Sequence, residues 1–151
     1  MNTQPDFDIT RLQRYLENAA PSVGAIRSAE KFAGGQSNPT YLLQAEEGQY
    51  VLRSKPKGKL LKSAHAVERE FRVMEALAHS PVPVPSVLCL CEDLEVIGAV
   101  FFVMSYEDGP IFWDPALPEL NLDERGTLYR DEIRVLAALH SLDPTGIGLT
   151  D

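Results

Sequence analysis

The sequence predicts an α+β domain. Strand-like apolar runs bounded by turn residues lie within 40–55, 86–92 and 99–106, while stretches near 9–20, 63–79 and 121–140 repeat apolar residues at helical spacing. The length of 151 residues with 44% hydrophobic content is that of a globular chain able to hold one domain with a real core.

In chain order, residues 1–7 read as a loose tail. A helix starts near Asp8 or Thr10, with Gln13 three positions after Thr10 as in a capping box. Ile9, Leu12, Leu16 and Ala19 form its apolar face, and Pro21 ends it. A first strand over 28–32 leads into Gly34 and Gly35, which without Cβ atoms can take positive φ and bring their N–H groups close to a ligand. Gln36, Ser37 and Asn38 follow as donors suited to phosphate oxygens. Pro39 holds Asn38 extended and opens a strand whose apolar body is Tyr41, Leu42 and Leu43. Glu46, Glu47 and Gly48 turn the chain, and Tyr50 to Leu52 return it. With a period of two, Val51, Arg53 and Lys55 share one face, so an apolar residue and a cation lie side by side under the glycine turn, as a base and its phosphates would need. The plainer alternative is an ordinary surface hairpin.

Residues 55–62 form a basic loop. Its Gly58-Lys59 is followed by Leu60 where a Walker A loop needs Ser or Thr, so the loop reads as solvated. Ser63 is placed to cap a helix reaching about His79, with Val67, Phe71, Met74 and Ala78 as its buried stripe. Glu68 and Glu70 lie on other faces, one of them able to reach back to Arg53. His65 and His79 read as surface residues. Pro81, Pro83 and Pro85 impose a stiff extended connector. Strands over 86–92 and 99–106 follow, joined by a turn at 96–98, and the second is apolar enough to be buried on both faces. It breaks at Glu107-Asp108-Gly109-Pro110, a candidate hinge. Residues 111–120 are irregular, with Phe112 and Trp113 in need of cover. Asn121 caps a long helix with Asp123 and Glu124 in its first turn. One face of that helix carries Tyr129, Ile133, Leu136, Ala137 and His140, and a second carries Leu128, Val135 and Leu139. Two apolar faces expect two neighbours, which leads us to expect a sequence cut within a larger domain.

The net charge of −8 argues against a general nucleic-acid or anionic-membrane binder. No apolar run is long enough to span a bilayer and the N-terminus has no leader pattern, so the expected location is the cytoplasm. Cys89 and Cys91 alternate along one strand face and read as small buried side chains rather than metal ligands.

The order of elements resembles the N-terminal lobe of the protein-kinase-like fold. The segments FxGGQSNPTYLL, YVLRSKPKGKLL, SAHAVEREFRVMEAL, VPVPSVL, FFVMSYEDG and LAALHSLDP, in that order, are similar to the aminoglycoside phosphotransferase and choline kinase-like family, nearest the branch related to acyl-CoA dehydrogenase-fused members. The resemblance runs from about Ile9 to Asp151. It implies a five-stranded antiparallel sheet with one packed helix, preceded by an N-terminal helix and followed by a truncated helical C-lobe. The implied divisions are a tail and helix over 1–26, the kinase-like N-lobe over 27–106, a hinge over 107–110 and the start of the C-lobe over 111–151.

By the same resemblance, Gly34, Gly35, Gln36, Ser37 and Asn38 would form the loop over the ATP phosphates, and Val51 would cover the adenine. Arg53 would take the position of the strand lysine that holds the α- and β-phosphates, with Lys55 as the alternative cation. A guanidinium is a rigid planar fork where an ammonium is a compact charge, so this is a departure from most kinases. Glu70 would pair with that cation, Met104 would back the pocket, and the Ser105 carbonyl and Glu107 N–H would read the adenine edge. The family's His-Gly-Asp-like loop, its following asparagine and its metal-binding aspartate do not occur in these 151 residues. No catalytic residue and no metal ligand are therefore assigned within the chain, and Mg²⁺ is expected to be held by a missing C-lobe. Expected partners are ATP, a hydroxylated small molecule and the remainder of that lobe, with no nucleic acid and no membrane. Two functions follow: the nucleotide-binding half of an ATP-dependent small-molecule phosphotransferase, or a non-catalytic kinase-like module that binds nucleotide or a partner. An unrelated α+β domain would leave the hinge and glycine loop unexplained.

Overall fold

A computed structural model describes residues 5–32, 37–58 and 66–149. These fall into two compact units, the first comprising Met1–Glu75 and Pro85–Tyr106, the second Ala76–Val84 and Glu107–Asp151.

The first unit is built on a five-stranded antiparallel sheet of order β1-β2-β3-β5-β4. Its strands are β1 (Ile26–Lys31), β2 (Thr40–Ala45), β3 (Gln49–Ser54), β4 (Val87–Cys91) and β5 (Phe101–Ser105). Alternation along the strands sends Tyr41, Leu43, Ala45, Leu52, Cys89, Cys91, Phe101 and Val103 to one face, where they form the core. The cover of that face is α1 (Ile9–Ala19), which inserts Leu12 and Leu16 into the same cluster. Tyr15 packs edge-on against Phe101 with centroids 5.7 Å apart, and its hydroxyl donates to the Leu90 carbonyl at 3.2 Å. The N-terminal helix is thus part of the core, not merely a preceding element. β5 is buried on both faces as its composition predicts, with Phe101, Phe102 and Val103 fully enclosed.

Several local expectations are corrected. Asp8 caps α1, accepting from the Thr10 N–H at 2.8 Å, and Gln13 does not close a box on Thr10. Its side-chain oxygen instead accepts from the Ile26 N–H at 2.7 Å, where β1 begins. A tertiary donor outcompetes the local one because the strand start would otherwise hold an unpaired, half-buried N–H. β1 starts two residues earlier than 28, since Ile26 pairs with Ala45 across a bulge. The tail is not loose from Asp6 onward: Asp6 accepts from the Tyr41 hydroxyl at 2.7 Å, and Phe7 packs edge-on to Tyr41 at 5.0 Å. The β4–β5 connection is a helical turn, α3 (Leu94–Ile97), capped by Asp93 and closed by Gly98 at φ 82°, a left-handed position that favours glycine. Burial pushes the Cys89 thiol up to about 11, so the buried, unpaired cysteine is protonated and inert at neutral pH.

The opposite sheet face meets α2 (Val67–Leu77), through Phe71 against Phe102 at 6.1 Å and through two ion pairs. The proposed cap Ser63, the glycines 34 and 35 and His65 lie outside the described residues. Val67 is buried and Phe71 and Met74 are half-buried, but Ala78 is exposed beyond the helix end.

In the second unit, α4 (Leu122–His140) has the full capping box expected of Asn121 and Glu124. None of its residues is buried, and Ile133 and Leu136 are 66% and 51% exposed. Trp113 is 87% exposed. Among the described residues, no helix is long and apolar enough to cross a membrane.

Candidate functional site

Register decides which side chains share the α2 side of the sheet. Thr40 pairs with Arg53 and Arg53 with Phe102, while Leu42 pairs with Val51 and Val51 with Met104. Cross-strand partners point to the same face. An apolar row of Leu42, Val51 and Met104 therefore runs beside a polar row of Thr40 and Arg53, as the spacing of Val51 and Arg53 predicts.

Arg53 and Glu70 form a two-point pair. Nε of Arg53 donates to Oε2 at 2.5 Å and Nη2 to Oε1 at 3.3 Å. The third arm, Nη1, donates to the Thr40 hydroxyl at 3.2 Å. Thr40 in turn donates to the Asn38 carbonyl at 3.1 Å, and the Asn38 amide donates to Oε1 of Glu70 at 2.9 Å. These four residues close a ring spanning the turn before β2, β2, β3 and α2. Asn38 is 5% exposed, so its amide is held in the ring rather than in solvent.

Lys55 pairs with the other helix carboxylate, Glu68. Both members of the expected cation pair are thus engaged, each by its own glutamate. Helical geometry separates the two carboxylates by two residues, about 200° around the axis, so they reach the strand from opposite flanks. Burial raises the Glu68 carboxyl, but the hydrogen bond from Lys55, backbone bonding and the Lys55 and Arg69 charges outweigh it, leaving it below its ordinary 4.5. A depressed folded value stabilises the fold fully above the unfolded value and is lost as pH falls through the folded one. The urea midpoint of the first unit is expected to fall on going from pH 6 to pH 3, and to fall less in Glu68→Gln. An equal fall in both proteins would remove Glu68 from the cause. Asp6 acts in the same direction: burial raises it, while its bonds to Tyr41 and Lys57 bring it below 3.8.

A cavity of about 690 Å³ opens beside the ring, lined by Ser37, Asn38, Arg53, Arg69, Glu70 and Met74 among others. Of the sequence-predicted residues it collects Ser37, Asn38, Arg53 and Glu70. Lys55, Val51, Met104 and Ser105 are not part of its lining. The Ser105 N–H is bonded to the Ser86 carbonyl at 2.8 Å, within the sheet. Gly34, Gly35 and Gln36 lie outside the described residues, and Glu107 belongs to the second unit. Sequence reasoning missed Thr40 and Arg69. Thr40 could be found only through the β2–β3 register, and Arg69 only as the exposed neighbour of Glu70. Among the described residues, no group of three or more His, Cys, Asp or Glu could hold a metal ion.

The model of the phosphotransferase enzyme family matches residues 28–151. A candidate acyl-CoA dehydrogenase of Arabidopsis thaliana is 52% identical over 124 residues, covering 79% of this chain and 15% of that protein. Acyl-CoA dehydrogenase family member 10 of Mus musculus is 48% identical over 134 residues, covering 87% of this chain and 12% of its own. A crystal structure of a candidate aminoglycoside phosphotransferase from Ralstonia eutropha superposes with a TM-score of 0.83 at 40% identity, covering 96% of this chain and 41% of that one. The chain therefore spans less than one fifth of these curated relatives and under half of the solved structure.

Proposed function

The chain belongs to the phosphotransferase enzyme family and has its kinase-like α+β fold, and on that premise we propose that it is the nucleotide-binding half of an ATP-dependent small-molecule phosphotransferase. The observation that carries this reading is the Arg53 guanidinium, fixed by Glu70 at the wall of a cavity it shares with Ser37 and Arg69. Among the described lining residues, two guanidinium groups stand against one carboxylate, a net positive lining in a chain whose net charge is −8. A cavity of about 690 Å³ falls within the roughly 300–1,000 Å³ of small-molecule sites.

ATP fits the residues present, and bound there it would supply the phosphoryl group for transfer. Arg53 would bind its phosphates, with Glu70 orienting the fork. Arg53 is favoured over Lys55 for this role because Arg53 lines the cavity and Lys55 does not. Val51 and Met104 would offer the apolar row on which a base can rest, with the Ser105 carbonyl reading its edge. The described residues do not fit a Mg²⁺ site of their own, so no step is assigned to the metal. With neither a catalytic-loop aspartate nor a metal aspartate in the sequence, this chain by itself is inactive in our reading. As acceptor we propose a hydroxylated acyl compound, a reading supported by the matching segment that relatives carry within proteins named acyl-CoA dehydrogenases.

Calorimetric titration of the chain with MgATP tests the proposal. Saturable binding is expected, weakened about tenfold or more in Arg53→Ala, with no phosphoryl transfer. That size follows from losing hydrogen bonds of about 1.5–3 kcal/mol to a charged group. Absence of binding, or equal binding by Arg53→Ala, would refute the nucleotide site. ATP- and Mg²⁺-dependent phosphorylation by the chain, lost in Arg53→Ala, would refute its inactivity.

A further inference from the structure

We propose that Asn38 and Thr40 are positioning residues that act on bound anions through Arg53. The inference rests on the nucleotide-binding reading above and goes beyond it, since the resemblance makes Asn38 a phosphate-loop residue and is silent on Thr40.

A guanidinium carries five N–H donors. Arg53 directs three of them into the protein, two at Glu70 and one at the Thr40 hydroxyl. One hydrogen on Nη1 and one on Nη2 are thereby left without a bond among the described residues. The Glu70 pair fixes one edge of the planar guanidinium but not the tilt of its plane about that edge, which a bond at Nη1 can set. Thr40 supplies the second point. Its hydroxyl can accept from Nη1 only while its own proton is directed elsewhere, and the Asn38 carbonyl takes that proton. Asn38 then returns to Glu70 through its amide, sharing Oε1 with Nη2 of Arg53. The orientation of the fork is thus determined from three elements at once, and the turn after the glycine pair is tied to the same carboxylate as the cation. Preorganisation of this kind lowers the ordering cost of binding and strengthens affinity without adding a contact to the ligand.

The test uses MgATP titrations of the full chain carrying Thr40→Val, Thr40→Ser, Arg53→Ala and the double variant Thr40→Val/Arg53→Ala. Valine keeps the β-branched shape and removes the hydroxyl, and serine keeps the hydroxyl. Thr40→Val is expected to weaken binding about 3- to 10-fold, the size of one hydrogen bond. Thr40→Ser should return it to within about twofold, and Asn38→Ala should resemble Thr40→Val. The decisive reading is the double variant, which should bind no more weakly than Arg53→Ala alone, since a residue acting through Arg53 has nothing left to act on. Additive losses would overturn the inference, as would a Thr40→Val chain that binds like the parent or a loss that serine does not restore. In each of those cases Arg53→Ala would still bind weakly and the nucleotide reading would stand. A parent chain that does not bind MgATP, or binds it equally well without Arg53, would end both.

Discussion

Replacing Phe101 by alanine is expected to lower the unfolding free energy of the first unit by about 3–5 kcal/mol, the range for a buried aromatic cut back to a methyl group. Phe101 is 0% exposed and stands where β5 meets α1. Its ring contacts Tyr15, so the cavity would open between the sheet and the helix and loosen both. Relaxation is limited because β5 is the second-to-last strand, hydrogen-bonded on both sides by β3 and β4. Far-UV circular dichroism in urea follows the sheet and helices, and its midpoint should move strongly to lower urea. A midpoint that stays at the parent value would remove Phe101 from the core contacts that hold α1 on the sheet.

The second large effect is expected from Glu70→Ala, and it falls mainly on binding. The Arg53 and Glu70 side chains are 32% and 37% exposed, so solvent screens the pair and its stability contribution is held to about 1 kcal/mol or less. Removal of the carboxylate, however, frees two arms of the guanidinium and takes the acceptor from the Asn38 amide. Affinity for MgATP is expected to fall about tenfold or more, with a fall of a few degrees in the thermal midpoint from the buried Asn38 amide that loses its acceptor. Glu70→Gln keeps one acceptor oxygen and should lie between the parent and the alanine variant. A large drop in the midpoint with unaltered affinity would make the pair a structural bridge and not part of a binding site.

Much of the fold was legible because it rests on short-range rules. The turn at Glu46-Glu47-Gly48, the proline connector, the buried β5 and the Asn121 cap each follow from a few consecutive residues. The pairing of a helix glutamate with Arg53 was also legible, since β3 and α2 each declare their faces by period. Gln13 shows where such rules stop, because its spacing from Thr10 fits a local cap and its oxygen bonds β1 instead. Asp93 and Gly98 carried the signals of a capped helical turn, but four residues were too few for periodicity to reveal α3.

By itself the sequence determined the kinds of element, their order and the face that each would bury, since periods of two and 3.6 and the chemistry of turns act within one element. Through six ordered segments it also determined the family. Tertiary structure decided what register and distance control. It made α1 a wall of the core, joined Arg53 to Glu70 and Lys55 to Glu68, and brought Thr40 beneath Arg53. The physical reason is that a single carboxylate can satisfy any nearby cation. Which one it meets depends on strand register and on burial, and neither exists until distant segments have packed.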